Sequence, residues 1–149
     1  MNVAAIEAVI PTEAMLIERA RALVPQLRAR SAACQANRMV PAETIEDFRA
    51  AGFFRILQGR RYGGYEMAPT TFYKVLHIIG SGCPSSGWVL MVVGLHPLEL
   101  EFMDPRCGQE VWGKNSDVRL SSSYVPFGKV RRVEGGFMVQ GRWHYSSGS

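Results

Sequence analysis

Small polar residues follow an alternating segment near the C-terminal end of the sequence. From Phe137 to Tyr145 successive side chains alternate between two faces of a predicted strand, which carries Ser146, Ser147 and Gly148 at its end. Hydroxyl groups and glycine amides in this position can hydrogen-bond the edge of a planar, polar ligand at close range. A Ser-Ser-Gly segment is also typical of a surface loop. The residues by themselves leave both interpretations open.

A second group with chemical potential lies on a helix predicted from Gly87 to about His96. This helix is apolar nearly all round, so we expect it to be the buried central one. Trp88 and His96 lie eight residues apart, which places them within about 80° of each other around the axis and about 12 Å apart along it. They can therefore line one wall of a cavity. The alternative is a core tryptophan and a helix-end histidine bonded to a backbone carbonyl.

Several common enzyme classes have no support in the sequence. It contains no His-Glu-x-x-His helix, phosphate-binding loop, Gly-x-Ser-x-Gly turn or carboxylate pair, which disfavours metallopeptidases, nucleotide hydrolases and serine hydrolases. Cys34, Cys83 and Cys107 are odd in number and lack metal-ligand spacing, so we expect neither a disulfide framework nor a metal site. His77 is expected on the exposed side of its helix. The role of His144 stays open.

Composition indicates a globular protein with a mild positive charge. The 149 residues are 47% hydrophobic and 20% charged, which is enough to bury a core. The net charge of +4 comes from scattered basic residues, so nucleic acid is not an expected partner. No signal or transit peptide is apparent, and the most apolar segment, Trp88 to Leu95, is shorter than the about 20 residues that cross a bilayer. We expect a cytoplasmic protein with no membrane partner.

Helical patterns occupy the first three quarters of the chain. Thr12 can cap a long amphipathic helix, which Pro25 should kink or divide. A second helix is expected from about Pro41 to Ala51, and a third between Pro69 and Pro84. Ser85 or Ser86 can cap the apolar helix, and Pro97 should end it. Two short helical turns are then predicted, around 98–103 and 106–111.

The pattern changes from helical to strand-like after Trp112 and Gly113. Three runs rich in valine, aromatic residues and serine predict strands at 120–125, 129–134 and 137–145. Gly135-Gly136 is a candidate two-residue hairpin turn. We therefore divide the chain into a helical domain, 1–112, and the start of a β domain, 113–149. Three strands with open edges do not form an independently stable sheet easily.

Several short motifs follow one another in a recognisable order and spacing: Arg61-Tyr-Gly-Gly64, Pro84-Ser-Ser-Gly-Trp88, Gly94-Leu-His-Pro97, Val111-Trp-Gly113, Ser121-Ser-Ser-Tyr124 and Gly141-Arg-Trp-His-Tyr-Ser-Ser-Gly148. Their order resembles the acyl-CoA dehydrogenase fold, and within it the two-component flavin-dependent aromatic hydroxylases. These are the oxygenase components typified by 4-hydroxyphenylacetate 3-hydroxylase and the secosteroid phenol hydroxylase. The resemblance covers essentially the whole sequence.

The resemblance implies a mainly α N-terminal domain, a central β-barrel and a C-terminal four-helix bundle, of which this sequence contains the first and the start of the second. It implies that Trp88 lies beside a reduced flavin, since an aromatic wall suits a planar ring. His96 and one serine of the triple serine, Ser122, would line the substrate pocket. Ser147 would hydrogen-bond the flavin near N5, with Ser146 and Gly148 beside it. His96 and Ser147 would thus be the catalytic residues, and no metal is implied.

The same resemblance implies a monooxygenase that hydroxylates a phenol ortho to its hydroxyl with molecular oxygen. A separate reductase would supply reduced FMN or FAD, and the complete enzyme would be a homotetramer. The apolar segment from Trp88 to Leu95 favours a bulky phenol, such as a steroid-derived one. Because the family's bundle carries a further histidine and much of the flavin site, we expect the 149 residues alone to be inactive.

Two other functions are compatible with the sequence. One keeps the fold and changes the reaction, to an acyl-CoA dehydrogenase or a sulfur or nitrogen monooxygenase. The residues that would discriminate these, a glutamate base or a histidine, belong to the family's C-terminal half. The other is an inactive fragment or a helical interaction module without catalysis.

Overall fold

The computed structural model describes residues 10–146 and is mainly helical, with one short antiparallel sheet in that range. The helices are α1 (Glu13–Asn37), α2 (Ala42–Ala50), α3 (Pro69–Gly82), α4 (Pro84–Leu100) and α5 (Pro105–Trp112), with 3-10 turns at Phe53–Arg55 and Arg60–Tyr62. The strands are β1 (Lys129–Val133) and β2 (Gly136–Gln140). The predicted class, a helical part followed by the first strands of a β part, is confirmed.

The first helix forms as its capping residue predicts, but Pro25 does not divide it. The Thr12 side chain accepts a hydrogen bond from the Met15 amide at 3.3 Å, and the helix then continues for 25 residues. A proline inside a helix costs about 3 kcal/mol. Leu16 and Leu27, on either side of Pro25, are both fully buried, and burying one such side chain gains about 1.5–3 kcal/mol. Packing on both sides of the proline therefore outweighs the local penalty.

Helices α1, α3 and α4 enclose the core. The largest buried side chains there include Phe72 and Ile79 of α3 and Leu90 of α4, each fully excluded from solvent. Gly94 lets α4 approach α3 closely, since a Cβ at this position would lie 2.7 Å from Cζ of Phe72. This contact fixes the half of α4 that carries His96.

The apolar helix α4 is longer at both ends than predicted. It begins at Pro84, with Cys83 rather than Ser85 or Ser86 as its N-cap, and Pro97 lies inside it. Pro97 is buried, and the first half of the turn predicted at 98–103 is the last part of α4. The proline removes a single backbone donor, which the packing of the buried residues around it offsets. His96 is therefore an interior residue of the helix. The short helix predicted at 106–111 is confirmed as α5.

A glycine-rich connection anchors the segment that leads away from the helices. The buried Gln58 side chain donates hydrogen bonds to the carbonyls of Tyr62, at 2.8 Å, and Ser116, at 3.1 Å. Trp112 donates its indole N–H to the Val118 carbonyl at 2.9 Å. Residues 116–118 are thus held against the helical core, which directs the triple serine back across α4.

The hairpin forms, with a turn one residue earlier than predicted. β1 and β2 pair antiparallel, with Val130 opposite Val139, and Glu134 and Gly135 make the turn. Gly135 has φ of 77°, which glycine adopts without strain. The strand predicted over 137–145 ends at Gln140, and the one predicted over 120–125 is not a strand. The domain boundary at residue 112 stays a prediction.

Candidate functional site

His96 is buried at the junction of α4 and the triple serine. Its side chain is 2% exposed. Its Nδ1 lies 2.9 Å from Oε2 of Glu99, one helical turn further along, and 3.5 Å from the hydroxyl of Tyr124. Its Nε2 lies 3.4 Å from Oγ of Ser122. The described partners of both ring nitrogens are therefore side chains, and the structure brings together the two residues expected to face the substrate.

Backbone alternation explains why Ser122 faces the histidine. Side chains of an extended segment point to opposite sides in turn. Ser121 and Ser123 bond the residues after the hairpin: Ser121 Oγ lies 2.9 Å from Oγ of Ser146, and Ser123 donates to the His144 carbonyl at 2.5 Å. Ser122 and Tyr124 therefore face α4. Side-chain hydrogen bonds take the place of the strand pairing that the sequence pattern predicts here.

Glu99 and Tyr124 complete a hydrogen-bonded cluster with His96. Tyr124 donates its hydroxyl to Oε1 of Glu99, and the Tyr124 and His96 rings are 6.0 Å apart. The hydrogen bond to Glu99 raises the pKa of Tyr124 to about 12. Burial alone would raise the pKa of Glu99, but the hydrogen bonds from Tyr124 and His96 outweigh it and lower that pKa below its ordinary value. At neutral pH the cluster therefore holds a carboxylate and a protonated phenol.

Sequence reasoning missed Glu99 and Tyr124, although both have a signal. Residues three apart on a helix are neighbours, so Glu99 follows from the position of His96. Tyr124 follows from the alternation, because it lies two residues after Ser122 on the same side. The four side chains form what we call the His96 cluster: His96, Glu99, Ser122 and Tyr124.

Trp88 lies apart from this cluster, on a separate groove. The indole is 58% exposed and lines a groove of about 880 Å³ between the end of α1, α2 and α4. The groove lining is mostly apolar, with two guanidinium groups: Met39, Val40, Ile45, Phe54, Val89, Val93, Arg38 and Arg119. His96 is not among these residues. Trp88 and His96 therefore do not line this groove together.

The predicted flavin contacts are only partly within the described range. Ser147 and Gly148 lie outside residues 10–146, and Ser146 is half-buried beside Ser121. Trp88 presents an exposed aromatic face, and Ser146 and Ser121 present hydroxyls, which suit a planar ring with polar edges. Residues 10–146 contain no group of three side chains that could hold a metal ion, and none of their helices is both long and apolar enough to cross a membrane.

Comparison with known proteins gives consistent matches, although no protein-family model matches the sequence. The chain is 39% identical over 132 residues to the flavin-dependent monooxygenase oxygenase subunit HsaA of Rhodococcus jostii, covering 89% of this chain and 35% of that protein. It is 30% identical over 133 residues to the oxygenase component of p-hydroxyphenylacetate 3-hydroxylase of Acinetobacter baumannii, covering 89% and 32%.

The fold likeness extends to a structure that holds reduced flavin. XiaF from a Streptomyces species, in complex with FADH2 and glycerol, superposes with a TM-score of 0.85 at 26% identity, covering 91% of this chain and 34% of that one. The chain thus spans about a third of the length of the relatives it matches.

Proposed function

Since the chain shares its sequence and fold with the N-terminal third of the oxygenase components of two-component flavin-dependent monooxygenases, we propose that it is the corresponding part of a phenol hydroxylase. The reaction inserts one atom of molecular oxygen into an aromatic ring, ortho to the phenolic hydroxyl. The name of the Acinetobacter relative supports this position, because carbon 3 of p-hydroxyphenylacetate is ortho to its hydroxyl group.

The observation that carries the proposal is the pair of His96, which is buried, and Ser122, which is half-buried. An imidazole nitrogen and a hydroxyl 3.4 Å apart can both hydrogen-bond one phenolic hydroxyl, and the imidazole can accept its proton. Removing that proton increases the electron density at the ortho carbon, which prepares the ring for an electrophilic oxygen donor. Holding the hydroxyl at a fixed point also orients the ring, which is a large part of the rate enhancement of such reactions.

The flavin would supply the oxygen chemistry, as cofactors generally do. Trp88, Ser146, Ser147 and Gly148 are the proposed contacts, with Trp88 against the ring plane and Ser147 toward N5. The exposed indole and the hydroxyl-rich segment after the hairpin support this assignment. Either FMN or FAD is compatible with these residues.

A separate flavin reductase is the proposed partner, because the relatives are named as oxygenase subunits or components. A homotetramer in the cytoplasm is proposed for the complete enzyme on family resemblance. The chain spans about a third of its relatives, so we expect residues 1–149 alone to be inactive. The apolar sequence of α4 from Trp88 to Leu95, which leads directly to His96, supports a bulky hydrophobic phenol as substrate. Binding of a secosteroid-like phenol should then be tighter than binding of 4-hydroxyphenylacetate.

The direct test is product formation by the full-length protein supplied with reduced flavin, oxygen and a phenol. We expect a catechol product, and an His96→Asn variant that loses on the order of 10²–10⁴ of the rate, as expected when a proton acceptor is removed. His77→Asn is the matched control, because His77 is exposed on α3. If wild type oxidises the flavin and releases only peroxide with every phenol tried, the proposed function is wrong.

A further inference from the structure

Two groups of the His96 cluster, Glu99 and Tyr124, have no role in the proposed reaction. Glu99 accepts two hydrogen bonds, from the imidazole at Oε2 and from Tyr124 at Oε1. Glu101, the residue that follows the end of α4, is instead paired with Arg61 at 2.6 Å. Glu99 is therefore the acidic group that acts on the imidazole.

We propose that Glu99 is a positioning residue that holds His96 in the tautomer with its proton on Nδ1, so that the Nε2 lone pair faces Ser122 and the substrate hydroxyl. A carboxylate has no proton to donate, so Nδ1 must carry one to make the 2.9 Å contact. In a neutral imidazole the other nitrogen is then an acceptor. The part of this inference that concerns the substrate rests on the proposed function; the tautomer does not.

Tyr124 determines how rigidly the carboxylate is held. The Glu99 side chain is 36% exposed, so packing alone does not fix its rotation. The phenolic hydroxyl occupies Oε1, which leaves Oε2 directed at Nδ1. A tyrosine hydroxyl is protonated, and therefore a donor, at neutral pH, and the hydrogen bond to Glu99, which raises the pKa of Tyr124 to about 12, extends this into alkaline solution. Neither Glu99 nor Tyr124 needs to touch the substrate for this effect.

In Glu99→Gln we expect the ring proton of His96 to change its nitrogen. The amide keeps the shape of the side chain but replaces one oxygen by an NH2 group. A phenolic hydroxyl is a stronger hydrogen-bond donor than acceptor, so the amide oxygen should face Tyr124 and the NH2 group should face Nδ1. Nδ1 must then become the acceptor, and the ring proton moves to Nε2. The nitrogen that faces Ser122 would no longer accept a proton from a phenol.

NMR of isotope-labelled imidazole nitrogens in the full-length protein reads the tautomer directly, with the His96 signals identified by their loss in His96→Asn. We expect the proton on Nδ1 in wild type and on Nε2 in Glu99→Gln. In Tyr124→Phe the proton should stay on Nδ1, because the Glu99 carboxylate remains. In the double variant Glu99→Gln with Tyr124→Phe the amide is free to turn, and the Nδ1 tautomer should return.

Activity supplies the second measurement. Glu99→Gln should lose on the order of 10²-fold in kcat/KM, at the low end of what a proton acceptor contributes, and the double variant should recover part of it. A wild-type ring with its proton on Nε2, or no change of tautomer in Glu99→Gln, would overturn the inference. If wild type hydroxylates no phenol, the proposed function fails, and the tautomer measurements still decide the role of Glu99.

Discussion

Replacing Gly94 by alanine tests how the core positions the half of α4 that carries His96. A Cβ at residue 94 would lie 2.7 Å from Cζ and 2.8 Å from Cε2 of Phe72. The Phe72 ring is completely buried, so it has no solvent-filled space into which to move. One of the two helices must shift. We expect the shift to move His96, two residues further along, away from Ser122.

Gly80→Ala is the matched control for the effect of Gly94→Ala on the free energy of unfolding. Gly80 lies in α3, and a Cβ there would meet no atom within 4 Å. Alanine gains about 0.5–1 kcal/mol over glycine within a helix, so Gly80→Ala should be stabilising. Gly94→Ala has the same helical gain, but overpacking a core costs about 1–3 kcal/mol. The free energies of unfolding of the two variants should therefore differ by about 1–3 kcal/mol, with Gly94→Ala the less stable.

Urea unfolding of wild type and the two variants measures this difference. In thermal unfolding each kcal/mol corresponds to about 2–4 °C for a protein of this size or somewhat larger. Phe72→Leu removes the ring that the new methyl group meets, so the double variant Gly94→Ala with Phe72→Leu should be more stable than additivity predicts. Equal stability of Gly94→Ala and Gly80→Ala would refute the close packing of α3 on α4.

Two further substitutions test the connections around the site. Tyr62→Phe removes the hydrogen bond from the Tyr62 hydroxyl to the Pro105 carbonyl, 2.8 Å long, and should lower the free energy of unfolding in urea by about 1 kcal/mol while the ring stays against Trp112. A hydrogen bond from Arg55 lowers the pKa of Asp117 below its ordinary value of 3.8. The ionised Asp117 carboxylate therefore stabilises the folded protein fully above pH 3.8, and this contribution is lost as the pH falls through the lowered pKa. Asp117→Asn should therefore be less stable than wild type at pH 7, by less than about 1 kcal/mol because the pair is partly exposed. This difference in the free energy of unfolding should disappear in strong acid. A difference that grows in acid would contradict the prediction.

Hydrophobic periodicity predicts the helices well and their ends poorly. The stripes of α1 and α3 identify their buried faces, because burial repeats with the helical period. Pro25 and Pro97 were expected to interrupt or end helices on local grounds. Each costs one backbone donor and some crowding, and the packing of the buried residues around it outweighs that cost. The outcome depends on contacts with other helices, which the local sequence does not contain.

The β part was harder to predict for a related reason. Gly135 and Gly136 can both adopt a positive φ, so the pattern does not decide which of them lies in the turn. Strand propensity also requires a partner strand, and over 120–125 the serine side chains instead bond the Ser146 hydroxyl and the His144 carbonyl. The alternation itself was informative, since it places Ser122 and Tyr124 on one side.

The candidate site was partly accessible from the sequence. Family resemblance pointed to His96 and Ser122, and the structure places their side chains 3.4 Å apart, although their roles stay predictions. Spacing alone put Trp88 on the same wall as His96, but a separation of about 80° around an axis is enough to give two residues different neighbours. Glu99 required knowing that its carboxylate turns toward the imidazole, which depends on Tyr124.

The proposed function, insertion of an atom of molecular oxygen into a phenol, can be tested by following the oxygen atom itself. The full-length protein is supplied with reduced flavin, a phenol and isotopically heavy oxygen gas, and the product is analysed by mass spectrometry. We expect a catechol that carries one heavy oxygen atom, with none taken from water. A product with oxygen from water, or quantitative release of the heavy label as peroxide, would contradict the proposed function.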